Sequence, residues 1–135
     1  MFFEEHAKLL ADFARVSQAA GARADYVQGG GGNTSVKLPG GLMAIKASGF
    51  CLSDIHPDQA YAVLDGADLR NFYLTTEPSE LADVEKEGSA RAKADVRHID
   101  GLADLRPSVE AGFHSILKTF VVHTHSVYAN LAACS

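Results

Sequence analysis

Thr34-Ser35-Val36-Lys37-Leu38-Pro39-Gly40-Gly41-Leu42-Met43-Ala44-Ile45-Lys46-Ala47 is the stretch that decides the fold. Its first five residues alternate polar and apolar side chains, the two-residue period of a strand. Pro39-Gly40-Gly41 is turn chemistry. Leu42 to Ala47 reads as the returning strand, so the segment is predicted to be a β-hairpin. Ser48-Gly49 ends it, and a hairpin carries that end back beside the residues that precede its first strand.

Those preceding residues are Gly29-Gly30-Gly31-Gly32-Asn33, a loop with no side chain until the asparagine. Upstream, Phe2, Phe3, Leu9, Leu10, Phe13 and Val16 keep a 3.6-residue spacing, with Glu4, Glu5, Lys8, Asp12 and Arg15 on the other face. This predicts an amphipathic helix packed on a core and ending near Gly21. Downstream, His56-Pro57-Asp58 begins a turn, and Ala60 to Leu64 reads as a further strand closed by Asp65-Gly66. From Thr75 to Gly101 the chain is charged and alanine-rich, and an exposed, mobile helix with loops is expected there.

Ser108-Val109-Glu110 is predicted to open a helix with Ser108 as N-cap and with Val109, Phe113, Ile116 and Leu117 as its buried stripe. Phe120-Val121-Val122 reads as a buried strand running directly into His123-Thr124-His125. Tyr128, Leu131 and Ala132 begin a final helix. Strands and helices interleave, so the class is α/β or α+β.

The chain has 135 residues, which fits one domain over residues 1–135. Hydrophobic residues make up 47% and charged residues 21%, an ordinary globular balance that excludes wholesale disorder. The formal net charge is −5, which leaves no basic excess for a nucleic-acid backbone. Two cysteines, Cys51 and Cys134, are too few for a disulfide framework and read as reduced, buried small hydrophobes. No apolar run approaches a membrane span, and the acidic Met1-Phe2-Phe3-Glu4-Glu5 start carries no signal peptide, so a soluble cytoplasmic domain is expected. The chain stops at Leu131-Ala132-Ala133-Cys134-Ser135, within an apolar pattern, so the expectation is a domain incomplete at its C-terminus.

Three groups of residues could carry chemistry. On a strand, His123 and His125 point to one face with Cα atoms about 6–7 Å apart, which suits two of the three protein ligands of an open zinc site. The same pair also reads as two histidines at a strand end, bonded to backbone or solvent. Glu110 lies at a helix start, where the helix dipole favours a carboxylate whether or not it has a further role. His114 stands four residues later on the same helix face. The glycine loop offers backbone N–H groups to an anion, or is simply a flexible turn. It lacks both the G-x-G-x-x-G and the P-loop pattern, so neither NAD nor ATP is indicated.

In order and spacing, Gly32-Asn33-Thr34-Ser35-Val36, Ala47-Ser48-Gly49, Pro107-Ser108-Val109-Glu110 with His114, and Val122-His123-Thr124-His125 resemble the class II aldolase and adducin N-terminal family. The likeness covers nearly the whole chain. It implies a three-layer αβα domain around a mainly antiparallel sheet, assembled as a homotetramer with active sites between subunits. It further implies that Asn33, Ser48, Gly49 and Ser108 hold a substrate phosphate, that His123 and His125 bind Zn2+, and that Glu110 is the catalytic acid/base.

The family's third zinc histidine would lie beyond residue 135. Val109 stands where the family carries a hydroxyl. The implied activity is a zinc-dependent aldolase that cleaves a keto-sugar phosphate through an enediolate, acting on a small molecule without nucleic acid or membrane. The alternatives are a sugar-phosphate 4-epimerase or dehydratase of the same family, and a non-catalytic adducin-like binding domain.

Overall fold

A computed structural model describes residues 1–134 of the chain. The hairpin forms as predicted. Strand β1 (Asn33–Leu38) and strand β2 (Leu42–Lys46) pair antiparallel, with Leu38 opposite Leu42 and Ser35 opposite Ile45. Gly40 and Gly41 make the turn at φ 82° and 80°, a left-handed conformation that side chains with a Cβ resist. Strand β3 (Tyr61–Asp65) adds to β2, and strand β4 (Phe120–His123) adds to β1, both antiparallel. The sheet order is β3-β2-β1-β4.

Helices cover both faces. A first turn α1 (Phe2–Glu5) leads into α2 (Ala7–Gly21), which ends where the sequence periodicity ends. Leu10, Phe13 and Ala14 of α2 join Val36, Leu38, Ala44, Tyr61 and Val63 in one core. On the opposite face Met43, Ile45 and Leu64 meet Leu69 of α3 (Gly66–Thr75), Ala92 of α4 (Val84–Ala94) and Ala111 of α5 (Ala111–Ile116). Alternate residues of β2 and β3 therefore feed two cores, so these central strands carry apolar residues on both faces. The final helix α6 (Val127–Cys134) follows β4.

The structure departs from the sequence expectations in five places. Helix α3 was not anticipated from the pattern; Asp65, read as closing a strand, also N-caps this helix by accepting from the Asp68 N–H at 2.9 Å. Helix α5 starts at Ala111 with Glu110, not Ser108, as N-cap. Pro107 bridges to Ala47, and the Ser108 N–H donates to the Lys46 carbonyl, so residues 107 and 108 run extended along β2 and cannot enter the helix.

The predicted stripe on that helix is not buried. Val109 is 81% exposed, and Phe113, Ile116 and Leu117 are all exposed, while Ala111, Gly112, His114 and Ser115 face inward. Strand β4 is an edge strand, with only Val121 buried and Phe120 and Val122 open to solvent. Cys51 is half-buried and Cys134 exposed, so neither is a core residue.

Candidate active site

The second face of β1 builds the site. Asn33, Ser35 and Lys37 lie two residues apart and therefore project to one side, and each one holds the α5 segment. Asn33 Nδ2 donates to Ser108 Oγ at 2.6 Å and to Glu110 Oε2 at 2.9 Å. Ser35 Oγ and His114 Nδ1 are 2.6 Å apart. Lys37 Nζ donates to the His114 carbonyl. On the other side of the strand Thr34 Oγ1 meets Ser17 Oγ of α2 at 2.6 Å.

Strand β4 supplies the histidines. His123 sits opposite Asn33 in the ladder, so both aim at the same side. His123 Nδ1 lies 3.2 Å from Glu110 Oε2. The carboxylate is thus gripped from two directions, by an amide and by an imidazole. Glu110, His114 and His123 bring one potential ligand atom each within 4.8 Å of one another. His125 lies just past the strand; its ring centroid is 5.0 Å from that of His123, and its backbone N–H donates to the Tyr26 carbonyl at 2.6 Å. It is adjacent to the three-residue group without belonging to it.

Beside these side chains a cavity of about 220 Å³ is lined by Gly30, Gly31, Gly32, Lys46, Ser48, Gly49, Ser108, Glu110 and His125, with Val109 at its edge. The hairpin has brought its two ends together, with the glycine loop on one wall and Ser48-Gly49 on the other. Asn33 is fully buried behind that wall and reaches the cavity through the hydroxyl and carboxylate it holds. At Gly32, φ is +76°, and an added Cβ would press on Val27 and on the His123 carbonyl, so this glycine is required for the loop to pass under the His123 backbone.

The electrostatics follow from burial. Burial alone pushes the Glu110 carboxyl up, but the Asn33 amide and then His123 outweigh it and hold it below the usual carboxylate range. Burial, with Lys37 adding to it, pushes His114 down to about 4, so its ring is neutral at pH 7. Burial likewise lowers Lys37 to about 8, with Arg70 adding to the shift. Lys46 is lowered by burial, which Cys51, Glu110 and Asp54 oppose; its Nζ donates to the carbonyls of Phe50 at 2.7 Å and Gly30 at 3.3 Å.

All seven residues singled out from the sequence thus lie around one centre. Sequence reasoning missed Lys46 in the cavity wall and the Ser35 and Lys37 contacts to His114. A signal existed: polar Asn33, Ser35 and Lys37 alternate along a strand that the other residues mark as buried.

The fold and this arrangement define a class II aldolase-type domain. The chain belongs to the class II aldolase and adducin N-terminal domain family, whose sequence profile matches residues 11–135. Its fold is similar to the N-terminal class II aldolase domain of a conserved protein from Thermoplasma acidophilum, with a TM-score of 0.75 and 22% identity over 91% of this chain and 57% of that one. It is also similar to YgbL, a candidate aldolase/epimerase/decarboxylase, from Klebsiella pneumoniae (TM-score 0.63, 18% identity, 96% of this chain and 50% of that one). YgbL from Escherichia coli gives a TM-score of 0.60 at 20% identity, over 95% of this chain and 49% of that one. The chain therefore spans about half to three fifths of the length of these structures. No curated protein matches it. Among the described residues no helix is long and apolar enough to cross a membrane.

Proposed function

We propose that this domain carries out metal-dependent aldol chemistry on a small keto-sugar phosphate, as a cytoplasmic homo-oligomer. The observation that carries the reading is the Glu110 carboxylate, held by Asn33 at 2.9 Å and facing His123 at 3.2 Å, at the mouth of the glycine-walled cavity. The residues suit a divalent transition metal, because the imidazoles of His123 and His125 are nitrogen donors beside a carboxylate. His114 Nε2, moreover, is buried with no hydrogen-bond partner. His123 and His125 would hold zinc. When bound, zinc supplies Lewis-acid polarisation of the substrate's carbonyl and hydroxyl oxygens.

The chain's own residues do the rest. Backbone N–H groups of Gly30 and Gly32, with Ser48, Gly49 and Ser108, bind the phosphate, and Lys46 adds a nearby positive charge. Anchoring that group fixes the reacting carbon relative to Glu110 and supplies binding energy remote from the chemistry. In the condensation direction, Glu110, kept ionised by Asn33, removes the proton from the carbon beside the carbonyl. Cleavage is the reverse: ionised Glu110 accepts the proton of the hydroxyl that becomes the aldehyde carbonyl as the carbon–carbon bond breaks, and protonated Glu110 then returns that proton to the enediolate carbon. The exposed apolar side chains of Val109, Phe113, Ile116, Phe120 and Val122 support an oligomer that covers them.

The half-reaction tests this without knowledge of the full substrate. Zinc-loaded chain incubated with dihydroxyacetone phosphate in D2O should exchange one carbon-bound proton, followed by NMR. Glu110→Gln should slow the exchange by roughly 10²-fold or more. Exchange that is equally fast in the variant, or no faster than in buffer, refutes the assignment.

A further inference from the structure

Between α4 and residues 106–109 lies a second cavity, of about 350 Å³, that the reading above leaves unused. Its polar lining is Ser89 and Lys93 of α4, Arg106, Ser108 and Ser48. The remaining lining is alanine, proline and valine, and no carboxylate is among these residues.

The fold fixes both walls. Ala92, one residue before Lys93, is buried in the core beneath β2 and β3. The Asp65 N–H at the end of β3 donates to the Asp95 carbonyl at 2.9 Å, which ties down the end of α4. On the other wall the Ser48 N–H donates to the Arg106 carbonyl at 2.9 Å, and the Ser108 N–H donates to the Lys46 carbonyl at 3.2 Å.

Lys93 and Arg106 differ from the cations around them. Arg91 and Arg97, on either side of Lys93, are paired with Asp68 at 2.7 Å and with Asp65 at 2.9 Å. Neither the Lys93 nor the Arg106 side chain has an ion-pair or hydrogen-bond partner among the described residues. The chain carries 17 acidic residues against 12 basic ones, so pairing is the ordinary fate of its cations. Two unpaired cations on one concave, acid-free surface focus a positive potential there, and a concave site with a few convergent polar groups is what a small ligand needs. The cavity also borders the phosphate cavity, with which it shares Ser48, Ser108 and Val109, so one ligand can lie across both.

Resting on the phosphate assignment above, we propose that this second cavity seats a further anionic group of the substrate, so that the substrate class is a sugar phosphate bearing a carboxylate or a second phosphate. The Arg106 guanidinium offers two parallel N–H donors to a pair of oxygens, which both groups present. Lys93 adds a point charge, and the Ser89 hydroxyl adds a donor. Lys93 and Arg106 are thereby specificity-determining residues that take no part in proton transfer.

The test compares three open-chain six-carbon ligands on the zinc-loaded chain by calorimetry: glucitol 6-phosphate, 6-phosphogluconate and glucitol 1,6-bisphosphate. At least one of the two doubly anionic ligands should bind about 10-fold or more tightly than glucitol 6-phosphate, and whichever gains more identifies the second group as carboxylate or phosphate. In Lys93→Gln/Arg106→Gln the preference should fall to about 2-fold or less, with the affinity for glucitol 6-phosphate unchanged. Both side chains are exposed, so the variant should keep its fold. The same variant separates this effect from any contact of the ligand with zinc. In amide NMR spectra of wild type, the preferred ligand should move the signals of Ser89 and Lys93 together with those of Gly30 and Gly32, whereas glucitol 6-phosphate should move only the glycines.

Equal affinity for all three ligands, or a preference that survives in the double variant, overturns the inference while the glycine signals still report phosphate binding. If no ligand moves Gly30 and Gly32, the phosphate assignment itself fails, and this inference falls with it.

Discussion

Replacing Asn33 by aspartate changes one atom's chemistry in a fully buried side chain and nothing in its shape. Asn33 Nδ2 donates to Glu110 Oε2 at 2.9 Å. In Asn33→Asp that donor becomes a carboxylate oxygen facing another. Two unit charges at this separation repel by about 6 kcal/mol at an effective dielectric of about 20. The pair relieves this by taking up one proton, so the cost is capped. Protonating a carboxyl of ordinary pKa near 4.3 at pH 7 costs about 3.7 kcal/mol. The loss of stability at pH 7 should therefore be about 3–4 kcal/mol.

The sign of the pH dependence follows. The variant's folded state holds a proton that its unfolded state releases, so its folded carboxyl pKa is raised. Such a group loses stability as pH rises, by up to about 1.4 kcal/mol per pH unit. The deficit relative to wild type should shrink by about 2–3 kcal/mol between pH 7 and pH 5. Asn33→Ala removes the hydrogen bonds to Glu110 and Ser108 without adding charge, and should cost about 2–3 kcal/mol with little pH dependence. Urea unfolding of the three chelator-treated proteins at pH 5, 6 and 7 measures this, and the other titrating groups cancel in the differences. An Asn33→Asp deficit that is flat with pH and equal to that of Asn33→Ala would mean that the amide does not face the carboxylate.

Three further outcomes are expected. Burial first, and then the Asp68 carboxyl, push Asp95 up to about 6; its folded pKa is raised, so stability present below about pH 4 is lost as pH rises through 6. Asp95→Asn should accordingly gain about 1–2 kcal/mol over wild type between pH 4 and pH 7 in denaturant titrations, and a gain that does not grow with pH contradicts this. A Cβ on Gly112 would run into the Tyr73 ring, so Gly112→Ala should lose about 1–3 kcal/mol; in a Tyr73→Ala background most of that loss should vanish, and a cycle showing no coupling would place the strain elsewhere. In Gly31→Val the new Cβ would stand 2.9 Å from the Gln28 carbonyl oxygen and 3.2 Å from His125 Nδ1; inorganic phosphate binding followed by NMR should weaken at least about 10-fold, and unchanged binding would mean that the anion is held outside the glycine loop.

The hairpin, the first helix and the glycine loop were legible because each rests on local chemistry, whereas the grouping of Asn33, Ser48, Ser108, Glu110 and the two histidines was legible only as what the resemblance to the family implies. Alternation, turn residues and helical spacing act within a few residues. The failures share a cause as well. Val109, Phe113, Ile116 and Leu117 carry a helical apolar period, but period says only that one face is apolar, not what covers it. Here β1 presents Asn33, Ser35 and Lys37 to this helix, so the small and polar face of α5 turns inward and the apolar side chains remain outside. Phe120 and Val122 look like a core strand until the strand order places β4 at the sheet edge.

Local pattern by itself determined the hairpin-centred sheet and the residues that could do chemistry, and the ordered motifs pointed to the family by resemblance. Only the tertiary structure decided which of them meet. The Asn33 amide on Glu110, the His123 ring on the same carboxylate and the unpartnered His114 nitrogen join residues far apart in the chain. Those contacts are set by the antiparallel pairing of β1 with β4 and by the docking of α5, long-range terms that no local window contains.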